Sequence, residues 1–334
     1  MSRDAEIAGF LAAAGWGAAV RQPLAGDASA RRYERLHRGA APAILMDVPP
    51  ASGLAVGPFL AVDRWLRAAG LSAPEVFAAD EAGGLVLLED LGDDLFARIC
   101  AAQPEREAGL YAAAVDLLAD LQALPPPAGA WSPPPYDLAF LLREAGLMLE
   151  WYLPASAGSA ASPDLVAEFQ ALATAALAPV ALQTTAVYRD FHAENLLWLP
   201  GRAGHARVGL LDFQDMLIGH PAYDLVSLLA DARRDVAPDL ARAMEARYID
   251  RTGADRESFT AAARVLSAQR NMKIMGLFTR LCRRDGKARY VDLLPRVWGY
   301  LAADLAHPGL APLAAFVGRH LPAPEPGVRA RIAA

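Results

Sequence analysis

The chain has 334 residues, 54% hydrophobic and 21% charged, a profile that fits a folded globular protein and excludes collagen, coiled coil and wholesale disorder. The net charge of −6 comes from 32 basic and 38 acidic residues, which argues against a protein built to grip nucleic acid. Length alone allows about two domains. Lys273 and Lys287 are the only lysines; every other basic residue is arginine.

Asp4 to Ala14 carries a helical pattern, with Ile7, Phe10 and Leu11 apolar. Strands are predicted at 20–25, 31–36 and 43–48, the last ended by Pro49-Pro50, with a turn at 26–30. An amphipathic helix follows at 58–69, then a hairpin of 76–79 with 85–89 around Gly83-Gly84. Beyond Gly92 the pattern turns helical, first at 110–124. A stiff proline-rich connection occupies 125–135, and a helix follows at 136–153. Short strands at 186–188 and 209–213 flank a loop, and helices are predicted at 223–234, 237–252, 256–284 and 288–305. The fold class is α+β: a small antiparallel β-sheet lobe (1–90) and a larger, mostly helical lobe (91–334).

Cys100 and Cys282 lie far apart with no C-x-x-C, which predicts free thiols in a reducing cytosol rather than disulfide or zinc. Acidic residues at Asp4 and Glu6 argue against a secretory leader. The longest uncharged stretch, 169–188, is too polar for a membrane span. A cytoplasmic protein is expected, with neither nucleic acid, membrane nor obligate protein partner.

The chemistry concentrates in Arg189-Asp190-Phe191-His192-Ala193-Glu194-Asn195, which fits R-D-x-x-x-x-N, and in Asp212-Phe213-Gln214 after an apolar run. Phosphoryl transfer needs a carboxylate at the attacking hydroxyl and oxygen ligands that hold Mg²⁺ against ATP phosphates. Asp190 is assigned as base, Asn195 and Asp212 as metal ligands. Each alone is a common loop residue; their order and spacing carry the reading.

The chain resembles the aminoglycoside phosphotransferase/choline kinase-like superfamily, whose fold is similar to protein kinases. The resemblance spans nearly the whole chain. Gly26-Asp27-Ala28-Ser29-Ala30-Arg31-Arg32-Tyr33, Met46-Asp47-Val48-Pro49-Pro50, Asp212-Phe213-Gln214-Asp215, Tyr223-Asp224-Leu225-Val226-Ser227-Leu228-Leu229 and Gln269-Arg270-Asn271-Met272-Lys273-Ile274 look closer still to bacterial amino-sugar kinases of cell-wall recycling. That likeness implies ATP and Mg²⁺ as cofactors. It also implies a small-molecule sugar acceptor, N-acetylmuramate or N-acetylglucosamine, phosphorylated at the anomeric hydroxyl. Asp224 is then a support that accepts amides of the catalytic loop.

Such folds cover the phosphates with the first two strands and place a lysine on the third. Here the turn offers Ser29, but Met46 stands near the lysine position and no lysine precedes residue 273. Either the chain is an inactive nucleotide-binding scaffold or an arginine substitutes. Arg31 and Arg32 point to opposite faces of their strand, and Arg32 is preferred. The 85–92 segment resembles the hinge, with backbone at Glu89 and Leu91 facing adenine. His192, Glu194 and Asp215 are acceptor-side candidates. Arg270 and Lys273, three apart on a helix, suit a carboxylate such as a lactyl group or else form a solvated basic face. Aminoglycoside, choline and homoserine remain alternative acceptors, although the local positive charge disfavours a polycation.

Overall fold

The structure, a computed structural model, describes residues 2–24, 31–129 and 131–334. The chain divides into two units: Met1–Pro104 with Pro127–Pro133 and Glu194–Asp215, and Glu105–Pro126 with Pro134–Ala193 and Met216–Ala334. This differs from a single break at residue 90.

The first unit is built on five antiparallel strands: β1 (Val20–Pro23), β2 (Arg32–Arg38), β3 (Ala41–Asp47), β4 (Val76–Asp80) and β5 (Leu85–Glu89), in the order β1-β2-β3-β5-β4. Alternation sends Leu36, Ala43, Leu45, Leu85 and Leu87 to one face, where Ile7 and Leu11 of the helix Arg3–Ala13 and Trp16 cover them. Each large apolar side chain so buried contributes roughly 1.5–3 kcal/mol. Tyr33, Met46 and Val86 fall on the other face, in one row of the ladder. Gly84 closes the hairpin at φ +69°; a Cβ there would lie 2.0 Å from the Val48 carbonyl oxygen, so only glycine fits. The helix Gly57–Ala68 lays Phe59 on Phe213, ring centroids 4.9 Å apart.

Two further strands explain why residues far downstream belong here. In the first unit β7 (Leu196–Trp198) pairs antiparallel with β8 (Val208–Leu210), and in the second unit β6 (Thr185–Val187) pairs with β9 (Leu217–Gly219). The Leu210 amide donates to the Ser72 carbonyl at 2.9 Å, and the Trp198 amide to the Asp94 carbonyl at 2.8 Å.

The second unit is helical around Arg256–Arg283, which packs against Leu138–Leu147, Ala222–Leu229 and Leu294–Leu305. It is buried on most sides and therefore lacks a single apolar stripe. The helix expected over 136–153 is interrupted: Leu138–Leu147 runs into a π-turn at Met148–Tyr152 before Leu153–Ala157. Pro154 has no N–H to continue the α ladder, and a widened turn accommodates it. The helix Pro163–Leu177 was not legible in its alanine-rich pattern. Its start follows local rules, with Ser162 accepting the Leu165 amide and proline in the first turn. Among the described residues no single helix is long and apolar enough to cross a membrane.

Candidate active site

Asp190 follows β6 in the second unit. The loop around it is held by Asp224, fully buried, whose carboxylate accepts the Tyr188 amide at 2.6 Å and the Arg189 amide at 2.8 Å. Burial lifts the Asp224 pKa to about 7 against those two amides. Burial also works to raise Asp190, but Lys273 first, then His192, Arg189 and Arg270, outweigh it and hold it below the ordinary value. Asp190 is therefore ionised at neutral pH and fit to orient a hydroxyl and take its proton.

Arg189 has φ +75°, a region that arginine seldom adopts. Its guanidinium reaches Glu144 Oε1 at 2.6 Å, and the Lys273 ammonium meets the same oxygen at 3.1 Å. The Tyr136 hydroxyl donates to Oε2. Burial would raise the Glu144 pKa, but Lys273 and Arg189 hold it down. Glu144 was not foreseen. Its signal was a carboxylate inside an apolar stripe of Leu141, Ala145 and Met148: such a buried charge requires partners.

His192 is buried in the same unit. Burial and then Arg233 lower its pKa to about 4, so the imidazole is neutral. Arg233 Nη1 lies 3.4 Å from His192 Nε2, while the Arg233 amide donates to Asp231 Oδ1 at 2.8 Å. Arg270 is 5% exposed. The solvated basic face allowed by the sequence is thus excluded, because the helix carrying both cations is central to its unit. The second unit brings together Asp190, His192, Arg270 and Lys273.

The first unit holds Asn195, Asp212 and Asp215. The Leu211 amide donates to the Asn195 carbonyl at 3.0 Å, which sets Asn195 beside the strand end that leads into Asp212. Asp212 has φ +62°, and its Oδ1 accepts from Gln214 Nε2 at 2.7 Å; the same amide reaches Asp215 Oδ2 at 3.3 Å. Glu194 is exposed in this unit. An amide oxygen next to a carboxylate is a hard-oxygen set. It suits Mg²⁺, which takes one or two carboxylates and completes its shell with phosphates and water. Among the described residues no cluster of three or more His, Cys, Asp or Glu could hold a metal unaided.

Tyr33 opposes Met46 on the ladder. Burial pushes its pKa up to about 12, with Asp212 adding and Arg31 opposing. Arg31 immediately precedes β2, and its charge acts on the same Tyr33 hydroxyl that Asp212 acts on. Arg32 departs from the preference given it. It opposes Asp47 and pairs with that carboxylate at 2.7 Å, next to Arg3 at 2.6 Å, on the face away from Met46. Ser29 and its turn lie outside the described residues.

In the segment expected to form the hinge, the Glu89 amide donates to the Glu75 carbonyl at 2.7 Å. Arg35 pins the segment, its Nε 2.6 Å from Asp90 and Nη1 2.9 Å from Asp93. That clamp also went unforeseen, because it joins residues over fifty apart in sequence.

A family model described as "Phosphotransferase enzyme family" matches residues 20–261. A protein named N-acetylmuramate/N-acetylglucosamine kinase from Caulobacter vibrioides is 42% identical, covering 96% of this chain and 97% of that protein. One of the same name from Pseudomonas aeruginosa is 32% identical, over 93% and 92%. Among solved structures, choline kinase LicA from Streptococcus pneumoniae superposes with a TM-score of 0.63 at 13% identity, covering 90% of this chain and 99% of that one. Aminoglycoside phosphotransferase APH(3'')-Id from Streptomyces rimosus, in complex with ADP and streptomycin, gives 0.51 at 22% identity, over 80% and 99%. These neighbours have the protein-kinase-like α+β fold expected from the sequence. The chain belongs to the phosphotransferase enzyme family, and it is a nucleotide-using phosphotransferase.

Proposed function

We propose that the protein is an ATP-dependent kinase of an amino sugar, N-acetylmuramate or N-acetylglucosamine, acting on the anomeric hydroxyl in cytoplasmic recycling of cell-wall sugar. The observation that carries this reading is the cationic surrounding of Asp190 by Lys273, Arg189 and Arg270. It suits a neutral or acidic acceptor and repels a polycationic aminoglycoside. The names of the relatives at 42% and 32% identity support the same acceptor.

In this reading Asp190 accepts the hydroxyl proton as the sugar oxygen attacks the γ-phosphorus; an O–P bond forms, the bond to the β,γ-bridging oxygen breaks, and ADP leaves. An anomeric hydroxyl is more acidic than an ordinary alcohol, so a carboxylate of lowered basicity suffices. Asn195 and Asp212 would hold magnesium, which when bound offsets phosphate charge. Arg31 takes the place of the absent lysine beside the phosphates, and the hinge backbone at Glu89 and Leu91 meets adenine. His192, Glu194, Asp215, Arg270 and Lys273 are the acceptor-side candidates.

An ADP-release assay across N-acetylmuramate, N-acetylglucosamine, kanamycin and choline tests the acceptor. Turnover is expected with the two sugars alone. D190A should lower kcat by about 10²–10⁴ with ATP affinity little changed. Turnover with kanamycin or choline only would overturn the reading.

A further inference from the structure

Arg270 and Lys273 sit one turn apart on the buried helix Arg256–Arg283, yet their surroundings differ. The Lys273 ammonium lies 3.1 Å from Glu144 Oε1 and 3.5 Å from the Tyr223 hydroxyl. Glu144 is shared with Arg189 at 2.6 Å and with Tyr136, so Lys273 is engaged in a network that ends on the residue before the base. The composition points the same way. A chain that writes arginine at nearly every basic position keeps lysine here, where a compact ammonium fits beside a carboxylate that already holds a guanidinium.

Arg270 is more deeply buried and differently served. Its hydrogen bond among the described residues runs from Nη1 to the Ala230 carbonyl at a long 3.4 Å, and no carboxylate of the described residues lies within ion-pair distance of it. A buried guanidinium without a counter-ion is costly, and its charge falls on Asp190 and His192. Neutral His192 supplies no compensating charge. Arg233 adds a second cation 3.4 Å from that imidazole. Asp231, 1% exposed, gives Oδ1 to the Arg233 amide while Oδ2 has no partner, an acceptor for a hydroxyl or amide of a bound sugar.

We propose that the two cations divide the work: Arg270 receives the carboxylate of an acid-bearing amino sugar and determines specificity, while Lys273 is a positioning residue that acts through Glu144 and Arg189 on the loop of Asp190. The division rests on the amino-sugar kinase reading above.

The test is the ratio of kcat/KM for N-acetylmuramate, which carries a lactyl carboxylate, to that for N-acetylglucosamine, which does not. R270Q should lower this ratio at least tenfold, the worth of one charge-assisted hydrogen bond, mainly through KM for the acidic sugar. R270K, which keeps the charge and secures the fold, should lower it by a smaller factor. K273M should reduce kcat for both sugars about equally, with partial and equal recovery in K273R. A ratio unchanged in both Arg270 variants, or a ratio shifted by K273M, overturns the proposal. A wild-type enzyme that turns over neither sugar overturns the underlying reading instead.

Discussion

Arg189 and Asp212 hold φ values of +75° and +62°, where an arginine costs on the order of 1–2 kcal/mol. Each is held by identifiable bonds. The Arg189 amide is on Asp224, its guanidinium on Glu144 and its carbonyl under the Ser227 hydroxyl at 3.2 Å; Asp212 is braced by Gln214. Strain held in this way gathers where geometry matters to function. The same attention to single residues decides between Arg31 and Arg32. R31A should raise KM for ATP roughly tenfold, since a charge-assisted contact to phosphate contributes about 1.5–3 kcal/mol. R32A should leave KM unchanged, because Arg32 is turned to Asp47. ATP saturation curves on both variants check this; equal KM values would sink it. Asp190, Asn195 and Asp212 were legible because their motif is local. The choice between two adjacent arginines was not, because it depends on which cross-strand partner each one meets.

At the scale of elements, two helices carry the proposed acceptor-side cations and their partner: Leu138–Leu147, which carries Glu144, and Arg256–Arg283, which carries Arg270 and Lys273. They approach at Gly276, where an added Cβ would stand 2.2 Å from the Leu147 carbonyl oxygen and 2.3 Å from its carbon. Backbone cannot yield as a flexible side chain does, so G276A must push the helices apart. It should cost about 1–3 kcal/mol, read as a lowered urea midpoint at unchanged slope. Because the shift falls between Glu144 and Lys273, kcat should fall as well; a variant of wild-type stability would show that the approach is looser than described. Most of the long helices were legible from their patterning, Pro163–Leu177 being the exception, and the sheet strands from alternation and turns. The pairing of β7 with β8, the helix Phe96–Ala102 and the π-turn were not: three-residue strands carry little periodicity, and the π-turn answers a proline inside an otherwise continuous helical pattern.

Across the described residues, burial outweighs the nearby cations at three carboxyls. Burial raises Asp63 and Asp224 to about 7 and Asp304 to about 6. Asp63 is 2% exposed on the helix that presents Phe59 to Phe213, and its Oδ1 has no hydrogen-bond partner. A raised pKa means that the folded chain keeps protons the unfolded chain releases near pH 4. The stabilisation this gives is complete below that pH and fades as pH rises through 6 to 7. His192, lowered to about 4, and His220, also lowered by burial, act in the opposite sense. They add stability as pH climbs towards their unfolded value near 6.5 and nothing beyond it. Above pH 6.5 the histidines no longer contribute and these carboxyls still do, so stability should fall from pH 6.5 to about pH 7.5 and then level off. Asp63 lies in the first unit, whereas the base and its network belong to the second, and it offers a clean handle. D63N removes the ionisation and nearly preserves the shape. It should raise stability by about 2 kcal/mol at pH 8 and by little at pH 5, flattening the decline on the alkaline side. Urea titrations of both proteins at pH 5, 6.5 and 8 measure the difference. A D63N curve parallel to wild type across that range would mean that Asp63 titrates as an ordinary carboxyl and that its burial is relieved by water.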